Sequence, residues 1–312
     1  METRTLSLPD AEIVHDVHGP LPPADGGEVL LVIGQPMTAD GFADLIAELP
    51  DRTVVAYDPR GLGRSTRSDG SSLNDPSLQA EDVHALITDL GAPVQMFASS
   101  GGAVAALALL TAHPEDVSRV VAHEPPVMGV LPDAELAERA NDAVGRAYQE
   151  RGWGAGLAAF RAMGMWQGEF TEEFLAQPLP DPAQFGLPDQ DDGTREDPLL
   201  SGTSAPVTSY EPDLEALRAA GDRLVLAVGE QTGEAITART TRALAEALGT
   251  EPLLFPGDHG GFAVGDPSHP GDPRGLRVAA ARGARRPRLT APTTTGPLRR
   301  SGGAPSRSCA GR

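Results

Sequence analysis

The sequence predicts an α/β protein built on a mostly parallel, doubly wound sheet. Three observations support this fold class: short apolar runs recur along the chain, segments with helical spacing separate them, and each run is apolar at consecutive positions. Strands of that kind are buried on both faces, which requires a parallel sheet covered by helices on both sides. The alternation is interrupted once, in the middle of the chain, and this interruption predicts an inserted unit.

The predicted elements follow one another in a regular order. The apolar runs interpreted as strands are 29–33, 53–57, 94–97, 117–121, 224–228 and 252–255. The segments with helical spacing between them are 42–49, 81–90, 103–111 and 235–248. Helical pieces at 133–150, 156–162 and 171–176 fall inside the interruption. We expect these pieces to form a cap over the carboxyl edge of the sheet.

Three parts of the chain are predicted from this pattern. Residues 1–125 and 222–263 form the α/β core, and residues 126–221 form the helical cap. Residues 264–312 hold ten arginines and two acidic residues, together with many prolines and glycines, and lack hydrophobic periodicity. We expect a basic tail without regular structure. Two origins remain open: a natural extension, or a segment read out of frame relative to an ancestral gene.

Composition restricts the partners. The net charge of −19 would repel nucleic-acid phosphates. Apolar runs fall well short of the roughly 18 residues needed for a membrane span, and the acidic start does not resemble a secretory signal. We therefore expect a cytoplasmic protein without membrane contact, with a small-molecule substrate and no cofactor; a homodimer is an open alternative to a monomer. Cys309 is the single cysteine, which excludes an intrachain disulfide.

A serine turn follows the third predicted strand. Ala98-Ser99-Ser100-Gly101-Gly102 stands directly after that strand and directly before an apolar helix. A nucleophile elbow has the form G-x-S-x-G in this strand–turn–helix context, and Ala98 takes the first glycine position. Small residues are needed because the turn is sharp and larger side chains would strike neighbouring backbone. The segment therefore predicts Ser100 as a nucleophile.

A histidine and two amides complete the predicted machinery for acyl transfer. His259 follows the last predicted strand in a glycine-rich loop, where a general base can reach a serine at a neighbouring strand end. One oxyanion donor is expected from the N–H after the nucleophile, that of Gly101. The other is expected from the loop after the first buried strand. Because Pro36 has no N–H, Gln35 must supply that second donor.

Four segments in this order resemble a group of actinobacterial-type hydrolases of the α/β-hydrolase superfamily. The resemblance extends over residues 27–263 and implies the fold, the cap and the roles of Ser100 and His259. It does not imply a substrate. The matching segments are Tyr57-Asp58-Pro59-Arg60-Gly61-Leu62-Gly63-Arg64-Ser65, Ser99-Ser100-Gly101-Gly102-Ala103, His123-Glu124-Pro125-Pro126 and Pro256-Gly257-Asp258-His259-Gly260-Gly261.

The triad acid is the point at which this chain departs from the resemblance. Most members of the superfamily carry an aspartate shortly after the strand that ends here at Val228, but the matching position holds Thr232. Some relatives, certain haloalkane dehalogenases among them, carry a glutamate after the strand that follows the nucleophile helix. Glu124 matches that place. We favour Glu124 as the acid, with Glu230 as the second candidate.

These residues predict a serine hydrolase that cleaves a small or medium apolar ester, thioester or lactone through an acyl-enzyme. Trp153, Met165 and Trp166 of the cap are the predicted substrate-binding residues. The alternatives are a triad enzyme with another reaction (C–C hydrolase, perhydrolase, lyase or cyclase) and a catalytically silent binding protein. No metal ligands are predicted, because nothing around His123 and Glu124 resembles the zinc helix motif.

Overall fold

A computed structural model describes residues 1–91, 93–264 and 271–277 of the chain. Its centre is one sheet with strand order β1-β2-β4-β3-β6-β7-β8-β9, and β5 pairs with β2. Pairs from β4 to β9 are parallel, and those made by β2 are antiparallel. The strands are β1 Glu2–Leu8, β2 Ala11–His18, β3 Leu30–Ile33, β4 Val54–Tyr57, β5 Thr66–Arg67, β6 Val94–Ser99, β7 Val117–His123, β8 Leu224–Gly229 and β9 Leu253–Phe255.

Helices cover both faces of the sheet, which confirms the predicted fold class. One core cluster joins β3 and β6 to α2 and α3, and the other joins the opposite strand faces to α1 and Phe262. The α-helices with assigned bounds are α1 Ala43–Ala47, α2 Pro76–Leu90, α3 Gly101–Ala112, α4 Ala134–Arg151, α5 Trp153–Met165, α6 Glu172–Leu175, α7 Ala205–Thr208, α8 Leu214–Ala220 and α9 Ile236–Leu248.

The helices α4 to α8 lie between β7 and β8 in the chain. Apolar residues of α4, α5 and α6 form a third cluster with Met128 and Ile236, whereas α7 and α8 pack into the first cluster. A largely buried ion pair joins this segment to the core: Arg239 on α9 binds Asp133, the residue before α4. The amide of Phe170 also donates to Asp133, at 2.6 Å. Asp133 therefore ties two parts of the inserted segment to one core helix.

The N-terminal hairpin is absent from the sequence-based assignment. β1 and β2 pair along their whole length, from Glu2 opposite Val17 to Leu8 opposite Ala11. β1 lies at the edge of the sheet and alternates between exposed and half-buried residues, so it lacks the continuous apolar run that marks the central strands. The described part of the chain contains no helix long and apolar enough to cross a membrane.

Residues 271–277 differ from the expected unstructured tail. Residues 273–277 are helical, and Leu276 is 1% exposed within the cluster that contains Phe262. The expectation failed here because Pro273 stands at the first helical position, where a missing N–H costs nothing. The amide of Asp272 donates to the carbonyl of Gly261 at 3.0 Å, which links this segment to the loop of His259. The remainder of the predicted tail, 265–270 and 278–312, lies outside the described residues.

Candidate active site

Ser100 occupies the turn between β6 and α3 in an unusual backbone conformation for a residue with a side chain. Its φ is 55° and its ψ is −127°, a region that side chains rarely adopt. The amide of Ser100 donates to the carbonyl of His123 at 2.9 Å, which fixes the turn to β7. A Cβ at Gly102 would lie 2.6 Å from the carbonyl oxygen of Ile33, so a glycine is required where α3 begins. The serine hydroxyl is thereby presented at the carboxyl edge of the sheet.

The predicted oxyanion donors lie side by side. A Cβ at Gly101 would be 2.7 Å from the carbonyl oxygen of Gln35, so the two loops approach as closely as backbones can. Gly101 is the first residue of α3, and its N–H has no acceptor inside the helix. In the described part of the chain the N–H of Gln35 also has no acceptor. Both residues line the cavity that contains Ser100.

Glu124 is fully buried and bound from four sides. Its Oε1 accepts hydrogen bonds from the Gly229 amide at 2.9 Å and the Thr232 hydroxyl at 2.6 Å. Its Oε2 accepts from the Thr237 hydroxyl and lies 2.7 Å from Nδ1 of His259. Burial raises the pKa of this carboxyl, but the bond and charge of His259 outweigh it and hold the pKa well below its usual range. Glu124 is therefore a carboxylate at neutral pH.

His259 combines a fixed side and an accessible side. Its side chain is 41% exposed and lines the same cavity as Ser100, while Nδ1 is held by Glu124. Burial lowers the pKa of the imidazole, but the hydrogen bond and negative charge of Glu124 outweigh it, so the pKa lies above its usual value. Because Nδ1 faces the carboxylate, Nε2 is the nitrogen left for proton exchange with a substrate or with the serine.

The buried imidazole of His123 lies next to that of His259. The two imidazole rings stack with centroids 6.1 Å apart, and Nδ1 of His123 lies 3.1 Å from the Ser99 hydroxyl. Its Nε2 is buried without a hydrogen-bond partner. Burial lowers the pKa of His123 to about 4, so this ring is neutral at pH 7 and adds no charge beside His259.

The second candidate acid, Glu230, lies outside the site. It is exposed after β8, and its amide donates to the carbonyl of Phe255 at 2.8 Å. The hydroxyl of Thr232, the residue at the usual aspartate position, instead supports Glu124. Sequence analysis missed this supporting role of Thr232 and that of Thr237. The sequence offered one signal for this role, the absence of an acid at position 232. When the acid stands at 124 instead, its carboxylate needs hydrogen-bond donors from the neighbouring strand end.

A cavity of about 740 Å³ opens above Ser100 and His259. Met165 lines it, but Trp153 and Trp166 do not, which corrects their predicted role. The indole of Trp153 donates to Asp197 and that of Trp166 donates to the carbonyl of Glu169, so both rings belong to the internal packing of the inserted segment. Apolar residues that do line the cavity are Pro126, Met128, Phe160, Met163, Leu200 and Ile236.

Comparisons with known proteins agree with this fold. A family described as the alpha/beta hydrolase fold matches residues 28–154. An uncharacterized hydrolase of Bacillus subtilis (strain 168), YraK, is 28% identical over 269 residues, which cover 83% of this chain and 90% of that protein. These matches, together with the sheet and helix arrangement, show that the chain has the alpha/beta hydrolase fold.

Solved structures show the same architecture at low sequence identity. A hydrolase from Pseudomonas aeruginosa PA01 is 19% identical with a TM-score of 0.58, covering 91% of this chain and 98% of that one. A thermophilic esterase from Thermogutta terrifontis is 18% identical with a TM-score of 0.56, covering 90% and 97%. At these identities the likeness establishes the fold alone.

Proposed function

We propose that the chain is a serine hydrolase in which Ser100, His259 and Glu124 form a catalytic triad. One observation carries the proposal: the imidazole of His259 is held at 2.7 Å by a buried carboxylate and opens on the cavity that contains Ser100. A base fixed on one side and accessible on the other is what activation of a serine requires. The relatives named as hydrolases and esterases are consistent with this chemistry.

The first half of the reaction acylates the serine. Nε2 of His259 takes the proton of Ser100 Oγ as that oxygen bonds to the carbonyl carbon of the substrate. The carbonyl electron pair moves onto oxygen, and this oxyanion accepts hydrogen bonds from the N–H groups of Gln35 and Gly101. Glu124 stabilises the imidazolium that forms. The oxyanion then collapses, and the leaving alcohol or thiol takes its proton from His259.

The second half restores the enzyme. A water molecule gives a proton to His259 and bonds to the acyl carbon, which regenerates an oxyanion at the same two amides. Collapse breaks the bond to Ser100 Oγ, the serine regains its proton from His259, and the carboxylic acid leaves. Each step uses the same base and donors, so no cofactor is required.

The cavity favours a small or medium uncharged substrate. Its volume is within the range of small-molecule sites, and its lining is mostly apolar. Among the charged lining residues, α4 contributes Asp142, Arg146 and Glu150, and Asp258 adds a third acid. Acids therefore outnumber bases around the cavity, and a substrate carrying a carboxylate would be repelled. We expect an apolar ester, thioester or lactone.

Covalent labelling tests the proposal directly. A fluorophosphonate probe should label the wild-type chain at Ser100, located by mass spectrometry, and Ser100→Ala should abolish labelling. Ser201→Ala is the matched control, because Ser201 lines the same cavity and should not affect labelling. An ester panel should then show at least tenfold faster cleavage of a neutral butyrate ester than of its succinate analogue. Labelling of Ser100→Ala at the wild-type level would overturn the triad.

A further inference from the structure

A second group of histidines and carboxylates lies at the opposite edge of the sheet. His84 lies on α2, His113 follows the last residue of α3, and Asp116 directly precedes β7. These positions are at the amino-terminal edge of the parallel strands, whereas the candidate active site follows their carboxyl ends. A nitrogen from each imidazole and an oxygen of Asp116 all lie within 4.8 Å of one another.

The two imidazoles of this group are already oriented by carboxylates. The rings stack with centroids 3.8 Å apart and an interplanar angle of 11°. Nδ1 of His84 lies 2.7 Å from Asp116, and Nε2 of His113 lies 3.0 Å from Glu81. The other nitrogen of each ring has no hydrogen-bond partner within the described residues. Two imidazole nitrogens and a carboxylate oxygen that already lie this close together form the core of a zinc donor set, in which the ion takes the place of the hydrogen-bonding protons.

We propose that His84, His113 and Asp116, with Glu81 as a fourth donor, form a Zn²⁺ site. Two imidazoles and one or two carboxylates are a donor set that suits this ion. Donor atoms around tetrahedral zinc lie about 3.3 Å apart, so modest side-chain rotation from the present separations closes the site. The side chains of His84, His113 and Glu81 are 35%, 20% and 58% exposed, which leaves them accessible and able to rotate.

A metal at this place would link three elements, α2, α3 and β7. It joins α2 to the turn between α3 and β7, and so connects two helices on one face of the sheet to β7, the strand that leads to Glu124. Its charge also offsets two carboxylates in a chain of net charge −19. The donors come from two segments, α2 and the turn between α3 and β7, which are about thirty residues apart and have no zinc-motif spacing, so sequence analysis predicts no metal ligands.

Titration of the chelator-treated, tag-free full chain with Zn²⁺ tests the site. Calorimetry should show one ion bound per chain, and saturating Zn²⁺ should raise the melting temperature. His84→Gln and His113→Gln should each weaken binding at least tenfold and remove most of the shift. Glu81→Gln, an exposed change with little risk to folding, should weaken binding several-fold. Co²⁺ absorption gives an independent measure of histidine coordination.

Two controls separate this site from other histidines. His18→Gln removes a histidine of β2 outside the cluster, and His259→Gln removes the one in the candidate active site; both should bind Zn²⁺ like the wild type. Absence of stoichiometric Zn²⁺ binding by the wild-type chain would overturn the proposal. So would binding that survives in folded His84→Gln and His113→Gln but disappears in His259→Gln.

Discussion

Ser100 and Glu124 are, among the residues that the structure describes, the two non-glycine positions with positive φ, at 55° and 51°. Left-handed backbone costs free energy for a residue with a side chain, and it persists only where the surroundings impose it. Here the surroundings are the neighbouring strands: Ser100 bonds to the carbonyl of His123, and Glu124 bonds to the carbonyl of Ala227. Both strained residues belong to the proposed triad.

This strain predicts a difference between two inactive variants. Ser100→Ala and Ser100→Gly should both lose hydrolysis, because neither carries a nucleophile. Ser100→Gly should nevertheless have a free energy of unfolding about 1 kcal/mol higher than Ser100→Ala, since glycine tolerates φ of this sign. Urea denaturation of the two proteins measures this difference. Equal or reversed stabilities would show that the turn stores no strain at this residue.

Glu124 sets a second prediction at this scale. Glu124→Gln should lower kcat by about three orders of magnitude or more, as loss of a triad acid does elsewhere. Glu230→Gln is the matched control, because Glu230 is exposed and removed from His259; its kcat should stay within twofold of the wild type. The opposite ranking would transfer the acid to the loop after β8.

The pH profile of Glu124→Gln should shift in one direction. His259 acts as a base only when neutral, so activity is lost as pH falls through its pKa. In the wild type, burial lowers that pKa but Glu124 raises it by more, to above the usual histidine value. Removing the carboxylate charge should shift the acid limb of kcat/KM to lower pH in Glu124→Gln. An unshifted limb would mean that the titrating group is not His259 held by Glu124.

At the scale of elements, a buried ion pair joins the inserted helices to the core. Arg239 on α9 donates to Asp133 and, at 2.9 Å, to the carbonyl of Gly168. Arg239 and Asp133 are 9% and 6% exposed in their side chains. Because α9 also carries Ile236 and Thr237 of the cavity wall, this contact determines how the inserted segment sits over the serine.

Breaking this contact should weaken both folding and substrate binding. Arg239→Leu leaves Asp133 buried without its partner and should lower the free energy of unfolding by about 3 kcal/mol. KM should rise more than kcat falls, since the triad is untouched but the cavity wall loosens. Arg242→Leu, which removes an exposed pair with Glu234, should cost less than about 1 kcal/mol. If Arg239→Leu and Arg242→Leu had similar effects on unfolding and KM, Arg239 would not hold the inserted segment on the core.

At the scale of the whole molecule, substitutions in segment 271–277 show whether this part of the chain contributes to the free energy of unfolding. Leu276→Ala should lower the free energy of unfolding by about 2–4 kcal/mol, as expected for a fully buried leucine. Arg277→Ala, an exposed neighbour, should change it by less than about 0.5 kcal/mol. Thermal or urea denaturation of the two variants provides the comparison. No loss in Leu276→Ala would mean that this segment packs without stabilising the sheet.

The central strands could be predicted because burial on both faces leaves its mark in consecutive apolar residues. β6, for example, was expected at 94–97 and ends two residues later at Ser99. The edge hairpin could not be predicted in the same way, since β1 buries little and carries charged side chains. The prediction that Trp153 and Trp166 bind substrate was wrong for another reason. The partner of an indole N–H is set by the tertiary fold, and here the partners are Asp197 and the carbonyl of Glu169.

Sequence motifs indicate the residues of the proposed triad but not the hydrogen-bond donors that hold them. Ser100 and His259 stand in local motifs, whereas the choice between Glu124 and Glu230 depends on which of two adjacent strand ends faces the imidazole. Only the folded chain brings Thr232 and Thr237 to Glu124, from more than a hundred positions along the chain. Hydrogen-bond donors of this kind have no spacing rule, because the sheet and not the sequence sets their distance.

The hydroxyl of Thr232 lies 2.6 Å from Glu124, at the position where most of the superfamily carries its acid. Two adjacent strand ends can therefore present a carboxylate to the same imidazole. An ancestor holding acids at both positions would have kept one ionised and one protonated, because two buried like charges disfavour each other. Such an intermediate connects the two arrangements through working enzymes, and either acid could then drift away by single substitutions. Under the proposed triad, an exchange of the acid between these two positions needs no inactive step.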